Sequence, residues 1–296
     1  MSGPIGLSMA DLGYRLPLGD AVETGVEWLT STFAGLFDVI KVVLVSSFDG
    51  LEYVLSAPPM WLVALVLAVL AYVAKGWRLG VGALIGFAVV QGVDQWDNAM
   101  TTLALVLVAS VIALAIGIPL GIWTARNDRV SAAVRPVLDF MQTMPAFVYL
   151  IPVVIIFLAG VVPGIVATII FALAPGVRFT ELGIRQVDPE VVEAGHAFGS
   201  TPGRILRQIQ LPLAQPTIMA GINQVIMLAL SMVVIAGMVG AGGLGLDVVS
   251  ALSRVNVALG FEAGLSVVIL AIYLDRITSA LADRSPVARA LRATAA

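Results

Sequence analysis

Between two long apolar blocks, residues Glu193 to Pro212 form a polar island whose residue types limit the chemistry open to this chain. The island holds Glu193, Ala194, Gly195 and His196, then Gly199, Ser200, Thr201, Pro202, Arg204, Leu206 and Arg207, and closes on Leu211 and Pro212. His196 is the single histidine and cysteine is absent, so no histidine cluster, thiolate metal site or disulfide can form. A phosphate-binding loop of the form Gly-x-x-x-x-Gly-Lys-Ser/Thr is missing, and neither Lys41 nor Lys75 follows a glycine. Hydrolysis of a nucleotide would therefore fall to another polypeptide.

The island does carry the signals of two short capped helices. Asp188 and Pro189 read as N-cap and first helical position, and Glu190 and Glu193 favour the positive end of the helix dipole. This helix is expected to run through about Phe198. Gly199 then supplies the permissive backbone of a helix end, Ser200 or Thr201 caps a second helix with Pro202 in its first turn, and Pro212 is expected to stop it. Such a knuckle is either a solvated loop or a surface on which a partner docks.

The elements around it are set by composition. With 59% hydrophobic and 12% charged residues, against about 25% charged in soluble domains, the chain is an integral membrane protein. Apolar runs near the roughly 18 to 20 residues that cross a bilayer fall at 59–75, 78–93, 99–125, 143–160, 163–181, 214–240 and 257–280. The expected fold is an all-α polytopic membrane protein of about seven transmembrane helices. The first two runs are short enough to enter the membrane only partly. Residues 1 to 30 lack a basic segment followed by an unbroken apolar core, so no cleaved secretory signal is expected.

Orientation follows from the basic residues. Lys75 and Arg78, then Arg126, Arg129 and Arg135, then Arg178, Arg185, Arg204 and Arg207, and finally Arg276, Arg284, Arg289 and Arg292 all fall on one side. That side is cytoplasmic by the positive-inside rule, which puts the N-terminus outside and the C-terminus in the cytoplasm. The leading segment agrees, because Asp11, Asp20, Glu23, Glu27, Asp38, Asp49 and Glu52 outnumber Arg15 and Lys41 there. From Val22 to Leu55 apolar residues recur at three-to-four-residue spacing, as in an amphipathic helix on the outer surface; an extra span over about 28–48 would bury Asp38 and Lys41.

The middles of the spans are nearly free of charge, which disfavours an ion-coupled transporter, because a driving ion needs ionisable groups at membrane depth. The polar residues at depth are Ser110, Asn223, Gln224 and Ser231, which either bond between helices or line a path. Pro119, Pro145, Pro152 and Pro175 each remove a backbone hydrogen bond and are expected to bend or break their helices. Gln142, Thr143, Pro145, Phe147 and Tyr149 combine an amide, a hydroxyl, a proline and two aromatic rings at a span entrance.

The pattern Glu193-Ala194-Gly195, then Gly199, then Leu211-Pro212 resembles the signature loop of type I ABC importer permeases, in which Glu-Ala-Ala precedes a glycine and later an aliphatic-Pro pair. Gly195 departs from the usual alanine, and both residues are small. Several further stretches resemble the glycine betaine/proline betaine permease subfamily. They include Gly117-Ile118-Pro119-Leu120-Gly121, Gln142-Thr143-Met144-Pro145-Ala146-Phe147-Val148-Tyr149, Pro216-Thr217-Ile218-Met219-Ala220-Gly221 and Gly242-Gly243-Leu244-Gly245.

That resemblance covers roughly residues 60 to 280 and implies the type I importer permease fold. It implies that Glu193, Ala194, Gly195, Gly199, Ser200, Thr201, Pro202, Arg204, Leu206, Leu211 and Pro212 form the loop that couples to a cytoplasmic ABC ATPase dimer. This chain would then hold no cofactor of its own, ATP and Mg belonging to the ATPase. The other implied partners are an extracytoplasmic betaine-binding protein, received near residues 240–258, a second copy of the permease and membrane lipid; no nucleic acid is expected. Gln142, Thr143, Pro145, Phe147, Tyr149, Asn223, Gln224 and Ser231 are candidates for the translocation pathway, where aromatic faces attract quaternary ammonium groups; interfacial aromatics also serve as membrane anchors. The expected organisation is an outer amphipathic region over 1–58, an accessory scaffold over 59–95, a permease core over 96–281 with its loop at 185–213, and a cytoplasmic tail over 282–296. An ion-coupled transporter, an osmotically gated channel, and a permease for choline or carnitine are the alternatives.

Overall fold

The computed structural model describes residues 18–283; the expectations placed on Asp11, Arg15, Arg284, Arg289 and Arg292 lie outside the described residues, as does most of the expected tail over 282–296. Among the described residues every regular element is helical, and they fall into two compact units divided between Val42 and Val43. The first unit holds α1 (Leu18–Thr32) and the start of α2 (Ala34–Ser56). The helical rhythm over Val22 to Leu55 is thus carried by two helices broken at Phe33. Only as a bent pair are they long and apolar enough for one crossing.

The second unit continues with α3 (Met60–Lys75), α4 (Trp77–Gly92), α5 (Trp96–Arg126), α6 (Asp128–Thr143), α7 (Ala146–Phe157) and α8 (Val161–Arg185). After the loop come α11 (Leu211–Ser231), α12 (Val233–Met238), α13 (Gly243–Arg254) and α14 (Val257–Asp283). Helices thus occur at all seven predicted apolar stretches, the one over 143–160 shortened to α7. Four of them, α5, α8, the helix leading into and through α11 and α12, and α14, are long and apolar enough to cross a membrane alone, and six crossings result if each bent pair counts as one. α3 and α4 have 16 residues each, about 24 Å at 1.5 Å per residue and so short of the hydrocarbon thickness.

The expected span over 143–160 is resolved differently. α6 and α7 meet at a 95° bend, and α7 has only 12 residues. The cause is local: Pro145 cannot donate its backbone hydrogen bond and drives Met144 into extended backbone, ψ 136°. Pro119, Pro152 and Pro175, by contrast, sit inside continuous helices, so of the four prolines expected to bend or break a helix only Pro145 stands at a break.

The packing centre is α8, held between α5 and α11. At the α5 crossing a Cβ on Gly121 would stand 2.6 Å from Thr180 Cβ and 2.7 Å from the Val177 carbonyl oxygen, so only glycine permits this approach. Small residues at a membrane helix crossing allow close backbone packing where no hydrophobic drive separates helix from lipid. At the other end of α5, α13 is pinned by a hydrogen bond from Leu244 N–H to Thr102 Oγ1 at 2.9 Å. Asp247 Oδ2 accepts from Gln95 Nε2 at 2.9 Å and Asn98 Nδ2 at 2.8 Å, holding α13 against the same end.

Candidate functional site

The polar island is a loop hung at both ends from long helices. Three residues after α8, the Asp188 side chain accepts a hydrogen bond from Glu190 N–H at 2.9 Å and starts α9 (Pro189–Ala197), as Asp-Pro chemistry predicts. α9 ends in a paired turn: Gly199 N–H donates to His196 O at 2.9 Å, and Ser200 N–H donates to Gly195 O at 3.1 Å. Gly199 has φ +77°, the left-handed backbone that this closure demands and that favours glycine.

The second limb departs from the expectation at two points. α10 (Pro202–Ile205) has Thr201 at its N-cap, but neither Ser200 nor Thr201 supplies a capping side-chain bond. Pro212 does not stop the helix. A π-helical segment, Leu206–Gln210, follows α10 and runs directly into α11, with Leu211 N–H bonded to Leu206 O. The wider π turn leaves room where the proline ring would otherwise meet the preceding turn, so the chain is helical from Pro202 to Met238.

The loop residues divide into a brace and an exposed rim. Leu206 is buried with Ile184 and Ala214, and Leu211 packs on that cluster. Gly195 is buried in the brace: a Cβ there would lie 2.8 Å from Ile209 Cδ1, so the isoleucine methyl occupies the space an alanine would need. Glu193, Ala194, Gly199, Thr201, Pro202, Arg204 and Pro212 are exposed, and Ser200 is half-buried. Phe198, which the sequence reading passed over, is 90% exposed at the turn. A large apolar side chain held out on a rigid capped turn fits an interface anchor.

The pathway candidates form two groups. Tyr149 packs with Ala146, Leu150 and Val154 of α7 against Ala167, Phe171, Met232 and Ile235, while Phe147 and Pro145 are exposed. Gln142 is half-buried at the end of α6, and Thr143 bonds its own helix at Phe140 O. The second group lies on α11. Asn223 Nδ2 donates to Asp275 Oδ1 of α14 at 3.1 Å, and Thr278 Oγ1 donates to Asn223 Oδ1, so this amide bonds between helices. Gln224 is exposed, and Ser231 Oγ donates to Leu228 O within α11. Buried Ser110 Oγ and Tyr149 Oη have no hydrogen-bond partner.

Sequence reasoning also missed a charged junction where α5, α6 and α8 meet. Glu181, 6% exposed, accepts from Ser131 Oγ at 2.7 Å and Arg135 Nη2 at 2.9 Å, and pairs with Arg185 Nε at 2.9 Å. Its available signal was the Glu181-Arg185 spacing of four on one helix face; Ser131 and Arg135 are distant in sequence and meet it only in the fold. The junction borders a cavity of about 350 Å³ lined by Arg135, Asp139, Arg178, Glu181, Leu182 and Arg185. Among the described residues no three His, Asp or Glu side chains converge as a metal site would require.

A polytopic bundle of broken and unbroken apolar helices, with a structured polar loop between two of its longest members, is the architecture of a membrane transport component. Residues 117–285 match the family described as binding-protein-dependent transport system inner membrane component, and the chain belongs to that family. It is 48% identical over 89% of its length to the glycine betaine transport system permease protein OpuAB of Bacillus subtilis, covering 94% of that protein. It is 46% identical over 90% of its length to the glycine betaine/proline betaine transport system permease protein ProW of Escherichia coli, covering 75% of it. Among solved structures it resembles the MetNI methionine ABC transporter in an inward-facing conformation, with a TM-score of 0.58 at 21% identity, over 64% of this chain and 94% of that one. The fold is that of a type I ABC importer permease, in a multi-pass membrane protein.

Proposed function

We propose that this chain is the translocation subunit of an ATP-driven importer for glycine betaine, proline betaine or a related quaternary ammonium osmoprotectant. The observation that carries the substrate class is its identity, across about nine-tenths of the chain, to permeases named for these betaines. The basic end of the bundle, with Arg126, Arg135, Arg185 and Arg204, faces the cytoplasm. The exposed rim of the loop, Glu193, Ala194, Gly199, Thr201, Pro202, Arg204 and Pro212 with Phe198 at the turn, docks on the ATPase; Gly195, Ser200, Leu206 and Leu211 hold that rim in shape.

ATP and Mg are bound by the ATPase, whose two copies each take one loop from a permease homodimer embedded in lipid. Closure of the ATPase pair moves both loops and switches the pathway between the two cores from outside to inside. An extracytoplasmic binding protein delivers the solute near residues 240–258. Residues 96–281 act as the transport core, 59–95 as an accessory scaffold, 1–58 as an outer amphipathic region and 282–296 as a cytoplasmic tail. Gln142, Thr143, Pro145, Phe147, Tyr149, Gln224 and Ser231 remain the pathway candidates, whereas the partners of Asn223 favour a role in joining helices.

The test is uptake of radiolabelled glycine betaine into vesicles containing the full chain, its ATPase and its binding protein, with proline betaine, choline and carnitine as competitors. Uptake against a gradient that needs ATP and every component is expected. Uptake that persists without the ATPase and collapses with an ionophore overturns the reading in favour of an ion-coupled transporter.

A further inference from the structure

Glu181 is the only buried carboxylate among the described residues, and its partners form a joint rather than a surface pair. Arg185, four residues on, spreads one guanidinium over three helices. Its Nε meets Glu181 of α8 at 2.9 Å, its Nη1 meets Asp128 of α6 at 2.8 Å, and its Nη2 donates to the Thr124 carbonyl in the last turn of α5 at 2.8 Å. That carbonyl lies in the last turn of α5, where it accepts only a long bond of 3.4 Å from Asn127 N–H, and the cationic guanidinium there reinforces the helix end. Only the planar five-donor fork of arginine reaches three acceptors in this way.

The helix tied down here leads to the pathway wall. α6 is amphipathic and starts with Asn127 Oδ1 accepting from Arg129 and Val130 N–H. Its apolar face sets Leu138 against Ala174 and Val177 of α8, and after the bend at Pro145 it becomes α7, which carries Tyr149. On the other side, α8 ends at Arg185, and Asp188 begins the first helix of the loop. The joint therefore sits where the loop is attached, and through α6 it is connected to α7.

We infer that Glu181 and Arg185 are positioning residues that make α6 and α7 follow displacement of the loop, so that ATP hydrolysis is converted into translocation. This rests on the coupling role proposed above for the loop. With the joint released, the ATPase still closes and still moves α9, while α6 and α7 lag and the pathway does not switch. Hydrolysis would continue with little import.

The deciding experiment compares wild type, Glu181→Gln and Arg185→Lys in vesicles holding the full complex, with labelled glycine betaine import and phosphate release measured in the same samples. Import per ATP is expected to fall about ten-fold in both variants, the effect of about 1.4 kcal/mol of lost coupling, while phosphate release stays within about two-fold. Asp139→Asn, which removes the exposed Asp139–Arg178 pair between the same two helices, is expected to leave that ratio within about two-fold. An unchanged ratio in Glu181→Gln, or equal loss of import and hydrolysis, overturns the inference. A second arm needs no substrate: hydrogen exchange of amides 128–138 in the isolated permease should accelerate in Glu181→Gln while that of α9 does not. Unaltered exchange there also overturns the joint. A wild-type complex that hydrolyses ATP without importing any betaine overturns the substrate reading instead, and the exchange arm still decides the joint.

Discussion

Replacing Phe198 by alanine tests the docking surface at its most exposed apolar point. The ring is 90% exposed, so almost all of its surface is available to a partner and little of it supports the permease itself. Fully burying a phenylalanine side chain stabilises an interface by about 1.5–3 kcal/mol. Taking about 2 kcal/mol, affinity for the isolated ATPase should weaken roughly 30-fold per loop, at 1.4 kcal/mol per ten-fold. A homodimer presenting two loops to an ATPase pair should lose up to about 4 kcal/mol, or roughly a thousand-fold. Phe198→Leu keeps most of the apolar area and should cost less than about five-fold. The assay is titration of fluorescent ATPase onto detergent-solubilised permease, run beside a thermal melt of the permease alone. Because Phe198 is not part of the brace, its loss should leave the melt unaltered, whereas Ile205→Ala, at 3% exposure, should lower it by removing a buried contact worth about 2–5 kcal/mol. An ATPase affinity within about three-fold of wild type would refute the anchor, since a ring buried at the interface cannot be removed at so small a cost.

Gly199→Ala should cost about 1–2 kcal/mol of loop order because φ is +77° there, and Gly199→Asn should cost less; faster exchange of the α9 amides is the readout. Gly121→Val should prevent α5 from seating on α8, because even a Cβ would stand 2.6 Å from Thr180 Cβ, and the expected outcome is loss of monodisperse protein on size-exclusion chromatography. Asn223→Leu should destabilise the α11–α14 contact by about 1–3 kcal/mol by leaving Asp275 and Thr278 without the amide, read as an earlier melt, whereas Gln224→Leu, with its side chain exposed, should leave the melt unchanged.

What the sequence made legible is what local chemistry decides. Asp188 with Pro189, and Gly199 eleven positions after Asp188, predict the first loop helix and its turn, because an N-cap acceptor and a left-handed stop depend only on near neighbours. The apolar stretches and the Pro145 break rest on equally local rules. Pro212 was misread because its helix-stopping effect assumes an α-helical preceding turn, and the π segment at Leu206–Gln210 changes that turn. Glu181 escaped notice because Ser131 and Arg135 are 50 and 46 residues away in sequence. Asn223 remained ambiguous for the same reason, since its role depends on which helix lies opposite, and that helix carries Asp275.

The manner of the loop's attachment limits which parts of the core can move. α8 enters the loop through three residues, and the loop leaves into α11 with no break before Ser231, so a displacement of α9 is delivered to both helices. α5 cannot lag behind α8, because the Gly121 crossing has no slack and Arg185 reinforces its end. These three helices therefore behave as one body under load. The pliable connections lie elsewhere: the 95° corner between α6 and α7, and the turn from α12 to α13, where Gly240 and Gly242 have φ of +87° and +77°. Packed cores switch between discrete arrangements rather than deforming continuously, so α13, and α6–α7 once the Glu181–Arg185 joint is released, are the elements able to change their positions against the rigid three-helix body. α13 is held by Asp247 and Thr102, and α6 by Glu181 and Arg185, which places a polar latch on each mobile element at opposite ends of α5.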